Sequence, residues 1–328
     1  MEKKVFGRTG LEVSRLTFGC GAVGGLMVRG EAVDQDRAVA WARDNGINFF
    51  DTAASYGNGV SETNLGRALG GNRDGIVVST KVGLGAQDMA DVAGAVRRSL
   101  DASLTRLQLE QVELFQLHNT VSRDGSGATL SAAQVLGDVI PAFEKLRDAG
   151  KTRFLGFTAK GDTAALHELA ASGRFDSAQV FYNLLVPSAG EAQPANYPAQ
   201  DYRELLAAAA RNGVGAIGVR VLAGGALSGR ETRHPLGMAA VAPIGSDTDY
   251  ATDVARARRF MPLIEAGHAA DLPELAIRYV ISNPTLPTTE IGIATIDELQ
   301  RAAAAVNRGP LPAEAQARIK QIQAGFVA

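Results

Sequence analysis

Four residues whose side chains could move a proton stand at or just beyond the ends of short apolar runs. Asp51 closes INFFD, Tyr56 follows in TAASY, Lys81 closes IVVSTK and His118 closes VELFQLH. A tyrosine hydroxyl is ordinarily too weak an acid to protonate an alkoxide near neutrality, but a neighbouring ammonium stabilises the phenolate and lowers its pKa. Lys81 can supply that charge, and Asp51 opposite it would hold the lysine in its charged form. His118, as a neutral donor or proton relay, can turn a carbonyl oxygen toward the Tyr56 hydroxyl. None of the four carries electrons, so reduction of a carbonyl would need a bound hydride donor. A second chemistry stays open at this point: Lys81 as the nucleophile of a Schiff-base lyase, which borohydride trapping would support and strict nicotinamide dependence would exclude.

The elements that must position these residues are βα units. Short runs rich in β-branched and aromatic residues recur, each followed by a longer amphipathic segment. After an opening hairpin (Lys4 to Phe6 with Leu11 to Val13), strands are expected at Leu16 to Gly19, Asn48 to Asp51, Ile76 to Lys81 and Val112 to His118. Four more fall at Thr152 to Gly156, Asp176 to Val180, Ala216 to Val219 and Thr289 to Gly292. Helices are expected at Gln35 to Asn45, Ser61 to Leu69, Val92 to Arg106, Ala132 to Ala149, Thr163 to Ala171, Ala199 to Asn212, Leu272 to Ser282 and Asp297 to Ala305. Gly46, Gly150, Gly173 and Gly213 stand where left-handed helix caps are needed. Eight alternations argue for an α/β fold, a closed (β/α)8 TIM barrel over residues 1 to 328 as one domain. Long loops follow strands four (Asn119 to Leu130) and seven (Ala223 to Thr252), the second closed by an added helix at Val254 to Ala266. In such barrels functional groups project from the carboxyl ends of strands, so Asp51, Tyr56, Lys81 and His118 converge on one mouth.

The segments GRTGLEVSRLTFGCG, NFFDTAASYGNGVSETNLGRAL, IVVSTKVG and VELFQLHN resemble the aldo-keto reductase family at its Asp, Tyr, Lys and His tetrad. The resemblance covers essentially the whole chain. It implies that Tyr56 is the general acid/base, that Asp51 and Lys81 tune it, and that His118 positions substrate. It also implies a nicotinamide cofactor, NADP(H) or NAD(H), lying across the barrel mouth without a Rossmann fold. By the same resemblance Gly19, Cys20 and Gly21 form the close-approach turn beside the nicotinamide, and Gln179 binds its carboxamide. Thr158 replaces the family serine after strand five, and Val219 replaces the usual stacking aromatic, with Arg220 following it. Leu222, Ala223, Gly224 and Arg230 match the loop that folds over the pyrophosphate. In GIATIDELQRA, residues Gly292, Ala294, Glu298, Arg301 and Ala302 match the adenosine end, where a carboxylate at Glu298 would repel a 2′-phosphate but accept from a ribose hydroxyl. Some relatives in this family are nicotinamide-sensing binding proteins associated with channels, so a non-catalytic redox sensor is the other alternative to a carbonyl, ketone or sugar oxidoreductase.

Composition excludes other classes. Lys and Arg number 33 against 35 Asp and Glu, a net charge of -2 with no basic block, so nucleic acid is not expected as a partner. The lone Cys20 allows neither an intramolecular disulfide nor a thiolate metal cluster, and no metal is expected. The lysines near the start precede no apolar run and no 18-residue apolar stretch occurs, so a small-molecule enzyme of the cytoplasm is expected rather than an exported or membrane protein.

Overall fold

The computed structural model describes residues 1–71, 73–125, 129–246 and 248–327. Parts of both long loops (126–128 and 247) lie outside the described residues. A hairpin of β1 (Lys3–Val5) and β2 (Glu12–Ser14) precedes the barrel strands β3 (Leu16–Gly19), β4 (Phe49–Asp51), β5 (Val77–Val82) and β6 (Val112–Leu117). A two-stranded ribbon, β7 (Val121–Ser122) and β8 (Leu130–Ser131), rises from the loop after β6, and β9 (Thr152–Thr158), β10 (Ser177–Phe181), β11 (Gly215–Val219) and β12 (Thr288–Gly292) complete the barrel. The barrel closes in the order β3-β4-β5-β6-β9-β10-β11-β12, with β12 pairing parallel to β3. All eight expected strands are present, displaced by at most two residues at either end.

The outer helices are α1 (Leu26–Arg29), α2 (Ala32–Asp44), α3 (Val60–Leu69), α4 (Val92–Leu107), α5 (Ala132–Gln134), α6 (Ile140–Asp148) and α7 (Thr163–Ala171). They continue with α8 (Leu205–Arg211), α9 (Tyr250–Arg258), α10 (Met261–Glu265), α11 (Leu272–Ile281), α12 (Ile296–Asn307) and α13 (Ala313–Ala324). The glycines expected as helix caps all take left-handed φ, from 67° at Gly213 to 76° at Gly46. Buried aromatics fill the space between strands and helices: Phe115 meets Phe143 of α6 at 4.7 Å and Phe157 meets Phe175 at 4.9 Å. The hairpin closes the end of the barrel opposite the mouth, where Phe6 packs edge-on against Phe49 and Arg8 donates to the carbonyls of Phe175 and Asn212.

Several helix boundaries differ from expectation, each for a local reason. The expected helix from Ala199 starts at Leu205, because Arg203 and Glu204 adopt left-handed backbone (φ 48° and 55°) while Tyr202 is drawn into the core. The helix expected over Ala132 to Ala149 widens to π geometry over Val135–Val139, just before Pro141, which has no N–H and whose ring crowds the preceding turn. The added helix at Val254 to Ala266 is two helices, broken where buried Phe260 precedes Pro262. The terminal helix α13 was not expected; no side chain caps its start.

Candidate active site

The strand register dictates which groups meet at the mouth. Asp51 pairs with Gly19 on one side and Ser79 on the other, and Lys81 pairs with Gln116. Side chains two apart on a strand share a face, so Ser79 and Lys81 both project into the barrel. Asp51 accepts from the Lys81 ammonium and the Ser79 hydroxyl, and from Gln116 Nε2 at 3.3 Å. Lys81 is fully buried, donates to the Thr52 carbonyl at 2.9 Å and reaches the Tyr56 hydroxyl at 3.1 Å. Tyr56 is carried to the lysine by the turn between β4 and α3, and its ring stands edge-on to His118 at 5.7 Å. The His118 amide continues the ladder by donating to Val82 at 2.8 Å, and its Nδ1 lies 3.4 Å from the Ser55 hydroxyl. The four residues singled out from sequence therefore meet at one point.

The electrostatics correct one expectation. Lys81 was expected to bring the tyrosine below its ordinary pKa; instead burial outweighs the ammonium, Asp51 and Glu290 add to it, and Tyr56 is pushed up to about 12. Burial disfavours the charge on Lys81, yet Asp51 beside it holds the ammonium above its ordinary value. Burial, reinforced by Lys81 and Lys160, drives His118 down to about 3, so its ring is neutral at physiological pH. Burial and Asp51 raise the Cys20 thiol, which leaves it a small inert group on the turn after β3.

Around the tetrad lie the residues expected to meet a cofactor. Gly19, Cys20 and Gly21 run past Asp51, with the Cys20 amide on its carbonyl at 2.9 Å; a Cβ at Gly21 would touch the Tyr56 ring at 3.7 Å, so this turn passes beside that ring. Thr158, at the end of β9, donates to Gln179 Oε1 at 3.2 Å, and Gln179 Nε2 donates to Glu290 at 3.0 Å. Val219 ends β11, and Arg220 follows with φ 57°, its long hydrogen bond of 3.4 Å reaching the Ala242 carbonyl. Leu222, Ala223 and Gly224 begin a 3₁₀ turn (Ala223–Ser228) that turns left-handed at Gly224 and Gly225. Arg230 is exposed, its carbonyl taken by Tyr250. Gly292 ends β12, and the Glu298 carboxylate accepts from the Ala294 amide at 2.7 Å, at the start of α12. Ala302 is buried in the α12 face, and Arg301 turns away to pair with Asp271, the cap of α11.

The long loop after β11 does not hang free. Arg29 donates to Leu236 at 2.6 Å and to Ala22, and the Met238 amide donates to Val23 at 3.3 Å. Arg233 ties the loop to itself through Met238 and Gly224, lying over the Tyr250 ring. Since β12 lies between β11 and β3 in the barrel, this strap bridges the strands that flank β12.

A model of the aldo/keto reductase family matches residues 15–324. The chain belongs to that family. An uncharacterized oxidoreductase of Bacillus subtilis (strain 168) is 30% identical to this aldo-keto reductase over 93% of this chain and 91% of its own length. L-galactose dehydrogenase of Arabidopsis thaliana is 38% identical, in a match that spans 48% of each chain. Among solved structures, the holo form of an aldo-keto reductase from Bacillus halodurans has the same fold, with a TM-score of 0.71 and 24% identity over 98% of this chain and 96% of its own. Among the described residues of this aldo-keto reductase, no helix is long and apolar enough to cross a membrane.

Sequence reasoning passed over Glu290, Gln116 and Arg29. Glu290 left a signal: an acidic residue inside the final strand, TTEIG, of a barrel whose interior must otherwise be filled.

Proposed function

We propose that this aldo-keto reductase interconverts a carbonyl compound, an aldehyde, ketone or sugar, and its alcohol with a nicotinamide dinucleotide as the hydride carrier. The observation that carries this reading is the buried Lys81 ammonium, held by Asp51 and Thr52 and in contact with the Tyr56 hydroxyl at 3.1 Å. Such an assembly holds one proton at one oxygen and a positive charge beside it, which is what an alkoxide forming at the mouth requires. The residues present suit a dinucleotide: a half-buried guanidinium at Arg220, the Thr158 hydroxyl with the Gln179 carboxamide, and a glycine turn beside Tyr56.

The cofactor supplies the hydride; the remaining work belongs to the chain. With its pKa pushed up, Tyr56 stays protonated through the neutral range and gives its proton to the substrate oxygen, while Lys81 offsets the phenolate left behind. Neutral His118, its Nδ1 toward Ser55, directs its other ring nitrogen to the same oxygen. Glu298 already occupies the Ala294 amide at the start of α12, which disfavours a 2′-phosphate there and supports use of NAD(H) alongside NADP(H). The partial match to L-galactose dehydrogenase supports sugars as the substrates to try first.

The test is Tyr56→Phe, assayed for cofactor oxidation and reduction against a panel of aldehydes, ketones and sugars, with cofactor binding followed by fluorescence quenching. Turnover should fall by about 10² to 10⁴ or more with binding retained. Turnover near wild type would overturn the reading.

A further inference from the structure

The carboxyl group of Glu290 has no part in the chemistry above, yet it sits among its members. It projects from β12, the strand paired with that of Gly19, and is half-buried. A Cβ at Gly19 would stand 3.0 Å from Glu290 Oε1, so the glycine clears the space the carboxyl occupies. Glu290 Oε2 accepts from Gln179 Nε2 at 3.0 Å, and Asp51 stands on the far side of β3, paired with Gly19. Two neighbouring carboxyl groups cannot both comfortably carry charge, so one of them favours its protonated form.

The charged and titratable groups facing Glu290 are Asp51 from β4, Lys81 from β5, Arg220 beyond β11, Tyr56 from the turn after β4 and Cys20 from the turn after β3. Burial first, and then the charge of Asp51, push the Glu290 carboxyl well above the usual carboxylate range, with Lys81 and Arg220 opposing. Tyr56 and Cys20 are both shifted away from neutrality to the alkaline side, and Lys81 is held charged. Gln179 spends both ends of its amide locally, its oxygen on Thr158 and its nitrogen on Glu290. Any ligand group read by Gln179 is therefore read next to Glu290.

We propose that Glu290 is a proton switch set by the charge of the nicotinamide: protonated when the mouth is empty or holds the neutral reduced ring, and ionised when the positively charged oxidised ring is bound. The balance is simple. Binding of the oxidised dinucleotide converts the Glu290 carboxylic acid to a carboxylate and delivers one proton to solvent; binding of the reduced form delivers none. No electron moves. The carboxylate then offsets the positive charge that hydride donation leaves on the ring. This inference rests on the nicotinamide reading given above.

The experiment is isothermal titration of the intact protein with oxidised and with reduced dinucleotide, in buffers of different protonation enthalpy across the neutral range. Wild type should release up to one proton with the oxidised form and none with the reduced form. Its Kd for the oxidised form should fall as pH rises, approaching tenfold per pH unit where release is complete. Glu290→Gln, which keeps an acceptor for Gln179, should abolish both the release and this pH dependence, an effect a purely structural carboxyl would not produce. Binding of both forms by wild type without differential release overturns the proposal while leaving the nicotinamide reading intact. So does release that persists in Glu290→Gln. Should that variant fail to fold, equal release with both forms in wild type is by itself decisive against the switch. Failure of either form to bind overturns the nicotinamide reading, and the switch with it.

Discussion

Replacing Lys81 by Met separates the two things the buried ion pair does. The lysine is fully buried and its ammonium touches Asp51, the Thr52 carbonyl and Tyr56, so Met fills much the same space while deleting three contacts at once. Removing one partner of a buried pair leaves the other charge uncompensated, at a typical cost of about 3 to 5 kcal/mol. Two features restrain the loss here. Ser79 and Gln116 still donate to Asp51, and a stranded carboxylate can take up a proton, which for an ordinary carboxyl near neutrality caps the penalty at about 4 kcal/mol. The penalty should shrink as pH falls, because proton uptake then becomes easier in the variant. Denaturant unfolding at several pH values measures this directly. Activity should fall by roughly 10² to 10⁴, since the phenolate left after proton donation has lost its counter-charge. The double variant Asp51→Asn with Lys81→Met removes the stranded charge and should recover most of the stability but none of the turnover. A single variant as stable as wild type at neutral pH, or a double variant that regains activity, would refute the assignment of Lys81 as the charge that supports Tyr56.

Three further outcomes are expected. The rate of carbonyl reduction should stay level through neutral pH and decline only as Tyr56, pushed up to about 12 by burial, loses its proton in strong alkali; a decline centred well below the ordinary tyrosine value of about 10 in a pH-rate profile would contradict this. His118, neutral in the fold with its pKa depressed to about 3, contributes stability that is present above the ordinary histidine value and lost as pH falls toward that depressed one; His118→Asn should therefore unfold with a shallower dependence on acid, read from thermal melts. Glu298→Arg should move the ratio of specificity constants toward NADP(H) by roughly tenfold or more, a change of about 1.4 kcal/mol per decade; an unchanged ratio in cofactor titrations would place Glu298 away from the 2′ position.

The strands and the tetrad were legible in the sequence because each apolar run ends in a residue that packing cannot explain. Asp51, Lys81 and His118 interrupt runs such as NFFD and VELFQLH at points where burial of a charge demands partners, and β-strand periodicity fixes which face they share. Tyr56 was legible only through its spacing from Asp51 and the resemblance that spacing carries. What escaped depends on closure in three dimensions. Glu290 looks like a solvated position in a five-residue strand until β12 pairs with β3 and turns it inward beside Asp51. The upward shift of Tyr56 has the same origin: a lysine 25 residues away can be guessed as a neighbour, whereas the extent of burial that outweighs it cannot be read along a chain. The late start of α8 is invisible for another reason, since the left-handed Arg203 and Glu204 are residues with no preference for that backbone and are held there by the burial of Tyr202.

The latch between Arg29 and the strap pairs a cation with the neutral carbonyls of Leu236 and Ala22, not with an acid. Opening it separates no opposite charges, so dissolved salt has little purchase on it, whereas attraction of a polyanionic ligand to Arg220 and Arg230 is screened over a Debye length of about 8 Å at physiological ionic strength. Raising salt should then weaken the attraction of such a ligand while leaving the Arg29 contacts nearly unchanged. Ionic strength becomes a means of reading the Arg29 contacts apart from the charges of Arg220 and Arg230, and stopped-flow traces of dinucleotide binding at low and high salt would show how far those charges govern its arrival.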